Sequence, residues 1–274
     1  ALSLKDTLDL SGKELRHFPS SFVSLAERSM FNETLTHLNL SNNRITTFPT
    51  CIFFEKQSKL AAQKVLGSGH FKALVELRLQ HNTLSGLVPS VFFDQSQFSS
   101  LRLLDLSFNH LEGFEQFDDP TPPPSPVKLV SLAGNKIREF PSTVMNLLRN
   151  LHVLIISTNQ LTTLPKEVGM LKQLKTLKAE NNRLTMLPSE IANCESLKVL
   201  HLQSNRHLSA LPFSMVKPFD QSMAASSSQQ DAANVNRRYI HQLKQFKIDG
   251  PLAINKELRD DIPSMMDYFK FARK

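Results

Sequence analysis

The sequence predicts an α/β solenoid, in which short parallel strands stack into a curved, concave sheet and helical or irregular segments return on the convex side. Three observations predict it. Aliphatic residues recur at one fixed spacing through most of the 274 residues. An asparagine follows nearly every aliphatic cluster, and a proline closes most copies.

The clearest copy runs Leu151, Leu154, Ile156, Asn159, Leu161, Leu164, Pro165, Val168, Leu171. The pattern restarts at Leu174 (Leu177, Ala179, Asn182, Leu184, Leu187, Pro188) and at Leu197 (Leu200, Leu202, Asn205, Leu208, Leu211, Pro212). Earlier copies begin at Leu35, Leu74, Leu101 and Val127, and a weaker first copy near residue 5 reads Leu8, Leu10, Leu15, Phe18, with Lys13 in the asparagine's place. The asparagines at 43, 82, 109, 135, 159, 182 and 205 are separated by 39, 27, 26, 24, 23 and 23 residues. The period therefore settles to 23.

Each position has a physical reason. Counting the first leucine of a copy as position one, positions three to five form a short strand whose alternate side chains point inward. One such unit cannot bury its apolar face alone, so it stacks against the next. The asparagine at position nine brings an amide to backbone groups that burial would otherwise leave unpaired. The proline fixes φ and starts the return segment, where its nitrogen is not needed as a donor.

These residues resemble the leucine-rich-repeat superfamily, whose consensus is LxxLxLxxNxLxxLPxxL, over nearly the whole chain. The LPxxL ending and 23-residue step are similar to the intracellular class that includes the Ras-suppressor-like proteins. The tail from Leu258 to Phe271 is similar to the end of leucine-rich repeat-containing protein 57. The resemblance implies one solenoid domain over 1–274 that binds partners and performs no catalysis.

Three long steps interrupt the repeat. Residues 53–73 predict an added helix, with Phe54, Ala61 and Val65 on one face. Residues 116–126 predict a stiff, proline-rich surface loop, in which Thr121 and Ser125 each precede proline as a kinase site would. Residues 218–238 predict a flexible stretch and then a helix from about Asp231 to Gln242. Leu243, Phe246 and Ile248 repeat the strand spacing once more, and 258–271 predicts a helix that caps the last repeat.

Composition narrows the function classes. No window approaches 18 consecutive apolar residues, so no membrane insertion is expected. Ala1 to Asp6 already carries charge at Lys5 and Asp6 and lacks the apolar stretch of a secretory signal. The two cysteines, Cys51 and Cys194, lie far apart, which points to a reducing compartment, the cytoplasm first and the mitochondrion as the alternative. A net charge of +7 favours a partner with an acidic flank or a phosphate-bearing surface.

The strand residues between the leucines are expected to face the concave side. Position two gives a basic row, Arg102, Lys128, His152, Lys175, Lys198 and Lys244, about 25 Å long at the usual strand separation. Position three gives an apolar strip beside it, Leu103, Leu129, Val153 and Val199, and Phe108 and Ile155 add further exposed apolar bulk. Apolar surface along an ordered basic edge marks a site for a protein segment with an acidic flank. A solvated, aggregation-resistant sheet margin is the competing reading of the lysines.

Catalytic signatures are missing: there is no nucleophile elbow, Walker loop or dinucleotide fingerprint, and Gly67-Ser68-Gly69-His70 follows no strand. His37 and His81, or His152 and His201, fall in different columns without carboxylate or cysteine companions, so no metal or other cofactor is expected. A protein-binding scaffold is the leading expectation. The alternatives are RNA contact as a structural subunit of a ribonucleoprotein such as an organellar ribosome, and a regulatory or adaptor subunit of a signalling enzyme. The absence of tryptophan and of an aromatic row argues against base stacking.

Overall fold

The repeat spacing becomes a nine-stranded, all-parallel sheet. A computed structural model describes residues 6–17, 34–48, 71–95, 98–116, 123–209, 211–215 and 243–248. Its strands are β1 (Thr7–Asp9), β2 (His37–Asn39), β3 (Glu76–Arg78), β4 (Ser85–Val88), β5 (Leu103–Asp105), β6 (His110–Phe114), β7 (Leu129–Ser131), β8 (Val153–Ile155), β9 (Thr176–Lys178), β10 (Val199–His201) and β11 (Gln245–Lys247). The large sheet is ordered β1-β2-β3-β5-β7-β8-β9-β10-β11, so each repeat pairs only with its neighbours in sequence. Leu243 and Phe246 are buried, and β11 pairs with β10, as the last copy of the spacing predicts.

The register aligns position four of every repeat: Leu8, Leu38, Leu77, Leu104, Val130, Leu154, Leu177, Leu200 and Phe246 form one inward row. Positions one and six supply parallel rows, and from Leu35 to Leu202 these residues are almost fully buried. Stacking these apolar rows is the main stabilising term of the fold.

The asparagine ladder forms as expected. In Asn159, Nδ2 donates to the carbonyls of Ile156 (3.1 Å) and Leu132 (2.9 Å), while Oδ1 accepts the N–H of Ile137 at 3.0 Å. Asn82, Asn109, Asn135, Asn182 and Asn205 repeat this three-way bonding. In the first repeat, Lys13 offers only its backbone N–H, which donates to Asn43 Oδ1.

The return side holds α1 (Ser142–Leu147) and short 3-10 turns at Ser90–Phe93, Lys166–Met170, Ser189–Asn193 and Phe213–Met215. Pro89, Pro141, Pro165 and Pro188 stand directly before the first four of these elements, with φ between −62° and −69°. Phenylalanines fill the wider repeats: Phe48 packs edge-on to Phe92, Phe92 and Phe71 pack on Phe98, and Phe114 packs on Phe93 and Phe140. Phe71, inside the span predicted as an inserted helix, is a fully buried core residue.

Two expectations are corrected. The repeat spacing of the copy from Leu74 (Leu77, Leu79, Asn82, Leu84, Leu87) places Leu87 inward, yet it is 49% exposed, because the register of the two-stranded parallel sheet β4–β6 shifts between Gly86 and Leu87, leaving Val88 buried. Ser125 is not on a surface loop. It is fully buried, its N–H donating to Leu147 O and its carbonyl accepting from Asn150 Nδ2, so a kinase reaches it only after local unfolding. Of the helix expected at 53–73, residues 71–73 form a turn and the rest lies outside the described residues, as do the expected helices at 231–242 and 258–271, Cys51 and Thr121. Among the described residues no helix is long and apolar enough to cross a membrane.

Candidate functional site

Strand alternation leaves positions three and five on the open face of the sheet, and both are half-buried or exposed there, apart from Ser131 and His201. Position three aligns Leu103, Leu129, Val153, Thr176 and Val199 in register. Leu103, Leu129 and Val153 are contiguous, and Ile155 lies beside them at position five of β8. Val199 belongs to the same row but is separated from the cluster by Thr176.

Position two precedes each strand, at the sheet margin. Its backbone extends the ladder, each N–H donating to the position-two carbonyl of the preceding repeat from Thr36 through Lys244. Three of its basic side chains are anchored along this margin. The Arg102 guanidinium donates to Pro126 O at 3.1 Å. Lys128 Nζ donates to Asn150 O and Gln173 Oε1, and His152 Nε2 lies 3.1 Å from the same Gln173 oxygen. Lys175, Lys198 and Lys244 are exposed. Burial, then the nearby charges of Arg102 and Lys175, hold the Lys128 ammonium below its ordinary pKa, so neighbouring cations of this row feel each other.

A second basic row was not singled out from the sequence. Position five of the last three strands places Lys178, His201 and Lys247 side by side in register. His201 is buried between the two lysines, and burial lowers its pKa against the opposing pull of Glu180. The same repeat count that located position two would have found this row. At the other end of the sheet, Glu76 pairs with Arg78 at 3.1 Å and lies 3.8 Å from the His37 imidazole.

The opposite margin is shaped by position eight, which takes a left-handed backbone in every repeat from the first through Ser204: Gly12, Asn42, His81, Phe108, Gly134, Thr158, Asn181 and Ser204 all have φ between 54° and 66°. Through Asn181, the N–H of this residue donates to the position-seven carbonyl of the following repeat, a bond that holds even Phe108 and Thr158 in a conformation costing side-chain-bearing residues about 1–2 kcal/mol. Phe108 is 51% exposed and its ring stacks on His81, centroids 4.5 Å apart and nearly parallel.

Gly134 continues this row, and its reason is the ring rather than φ alone. A Cβ there would lie 2.6 Å from Phe108 Cδ1. Gly134→Ala is expected to lower stability by about 1–2 kcal/mol and to swing Phe108 away from His81, read as a loss of ring-current shift on the His81 imidazole protons. An unchanged His81 spectrum would refute this packing.

Cys194 is structural. Its Sγ donates to Val168 O at 3.2 Å, and burial pushes its thiol pKa up to about 12, far from a reactive thiolate.

Comparison with known proteins finds the same repeat in part of the chain. Family models described as leucine-rich repeat match residues 34–54 and 149–208. Human podocan-like protein 1 is 32% identical over 157 residues, which is 57% of this chain and 24% of that protein. Human leucine-rich repeats and immunoglobulin-like domains protein 1 is 29% identical over 170 residues, 58% of this chain and 14% of that protein. The chain thus spans a quarter or less of the length of these relatives. Among solved structures, a leucine-rich-repeat protein of Leptospira interrogans is 29% identical, with a TM-score of 0.48, over 72% of this chain and 54% of its own. With nine parallel strands, one per repeat, and an asparagine ladder between them, the fold is a leucine-rich-repeat solenoid.

Proposed function

We propose that this chain is a non-catalytic interaction scaffold that seats a protein partner on the concave face of its sheet. The observation that carries this reading is the contiguous apolar patch Leu103, Leu129, Val153 and Ile155, set on rigid strands and bordered by basic side chains. Repeat stacking creates wide surfaces of this kind, and apolar surface beside an ordered charged edge fits a partner held by apolar contact and steered by charge. The 23-residue steps between Asn159, Asn182 and Asn205 support placement in the intracellular class of such repeats.

The double variant Leu129→Arg with Val153→Arg tests it. Both side chains are half-buried on the open face, so the melting temperature is expected to stay within a few degrees of the parent. Affinity capture from the native source, read by mass spectrometry, is expected to lose its main protein partner. Retention of that partner by the folded variant would move the site elsewhere. Steeply salt-dependent capture of RNA, unaffected by the variant, would favour the ribonucleoprotein reading instead.

A further inference from the structure

The open face is charge-segregated along the solenoid. At positions two, three and five, the first four strands of the large sheet carry the acids Asp6, Asp9, Glu76 and Asp105 with one histidine, His37, and two arginines, of which Arg78 is paired with Glu76. The last five carry Lys128, Lys175, Lys178, Lys198, Lys244 and Lys247, with His152 and His201, and no acid. Over β9–β11 the lysines form two rows roughly 10 Å apart, one at position two and one at position five, with Thr176, Val199 and Gln245 between them. The described carboxylates of these three strands and their flanking turns are Glu180, two residues beyond Lys178, and Glu195, which pairs with Lys172 at 3.4 Å. The apolar cluster lies next to this cationic field, toward the middle of the sheet.

We propose that the concave face takes an extended peptide segment of a partner protein in one fixed direction, its carboxylates over β9–β11 and its apolar side chains over β5–β8. This rests on the scaffold reading above and adds the chemistry and polarity of the bound segment. Charge complementarity selects the occupant. A cluster of lysines with few opposing carboxylates raises the local concentration of an acidic segment and disfavours its reversed register, which would set acids over Asp105 and the apolar cluster and leave apolar side chains over the lysines. Crossing β5 to β11 at the usual strand separation spans about 24 Å, which roughly seven extended residues cover.

Hydrogen bonding favours a polypeptide over a nucleic-acid backbone. Position seven of four repeats, Gln80, Ser157, Glu180 and Gln203, holds a buried side-chain oxygen without an intramolecular partner. Position seven lies on the same side as position five, since Ser107 Oγ donates to Asp105 Oδ1 at 2.6 Å. A peptide main chain brings an N–H donor every residue to that row once the side chains rotate outward, whereas the phosphates of a nucleic acid only accept and its backbone donors are limited to one ribose hydroxyl per RNA nucleotide.

Panning a random-peptide phage library on the purified chain tests the proposal, beside the same panning on Lys178→Glu with Lys247→Glu. The parent is expected to enrich peptides with aspartate or glutamate on one side of an apolar run, and the variant to lose that bias and gain lysine or arginine there. The best synthetic peptide, followed by fluorescence anisotropy, is expected to bind the variant at least roughly tenfold more weakly, and a copy with its charges exchanged to recover most of that loss. A peptide with its acidic and apolar halves exchanged is expected to bind the parent at least roughly tenfold more weakly.

Enrichment without charge bias, or equal affinity for parent and variant, overturns the proposal, as does full displacement of the peptide by a uridine oligonucleotide at low micromolar concentration. If Leu129→Arg with Val153→Arg abolishes peptide binding while the lysine variant does not, the scaffold reading stands and this polarity falls. If neither changes binding, both fall.

Discussion

Asn159→Ala is expected to lower stability by about 2–4 kcal/mol, read as a lowered urea midpoint with an unchanged slope. The loss is unevenly distributed. The carbonyls of Leu132 and Ile156 each accept from two asparagines, Leu132 from Asn135 and Asn159, and Ile156 from Asn159 and Asn182. Both therefore keep one bond when Asn159 is removed. The N–H of Ile137 loses its only side-chain acceptor in a buried setting, and that orphaned donor carries most of the cost. Hydrogen exchange should accordingly accelerate most at the Ile137 amide, and uniform acceleration over the whole sheet would contradict this assignment.

The aspartate variant sharpens the test. Asn159→Asp keeps an acceptor for Ile137, yet its carboxyl faces two carbonyls in a buried site and must stay protonated to donate to either. Its folded-state pKa is then raised above the unfolded value. Stability is greatest below that unfolded value, near 3.9, and falls as pH rises toward neutrality. At neutral pH the aspartate variant should be the less stable of the two, and a pH-independent difference from the parent would contradict a buried ladder.

What was legible in the sequence is what each residue's own chemistry demands locally. Leucines at positions one, four and six announce an apolar row because nothing else places that much hydrocarbon at that spacing. An asparagine after each strand announces buried backbone because few side chains carry both a donor and an acceptor. Position eight was not legible, since glycine, asparagine, histidine, phenylalanine, threonine and serine all occupy it. Its handedness comes from a bond to the next repeat, a property of the stack and not of the residue. Ser125 was misplaced for the same reason: its neighbours Leu147 and Asn150 are distant in sequence, and a proline-rich run gave no sign of them.

For the candidate site the pattern located the face but weighted its rows unevenly. Position two drew notice as the longest uninterrupted basic column, yet Arg102, Lys128 and His152 are tied to neighbouring carbonyl and amide oxygens. Lys178 and Lys247, at position five, stand within a strand on the open face itself. Spacing gives the column, and only the course of each side chain separates an anchored cation from one that faces a partner.

Leu154→Ala is expected to cost roughly 2–5 kcal/mol, the range for emptying a fully buried leucine site. Leu154 sits between Val130 and Leu177 in the position-four row, and both belong to adjacent strands that cannot close the gap without breaking register. Because each repeat contacts only its neighbours, the damage should be local first, with exchange protection falling in β7, β8 and β9 before β2 and β3. Its neighbour in the chain supplies the control. Ile155 is half-buried on the open face, so Ile155→Ala should cost less than about 1 kcal/mol while weakening partner capture. Two consecutive residues of one strand then separate what holds the solenoid together from what it presents outward. Equal destabilisation by the two substitutions would mean that position five is packed inside, and the binding face would have to be sought on the return side.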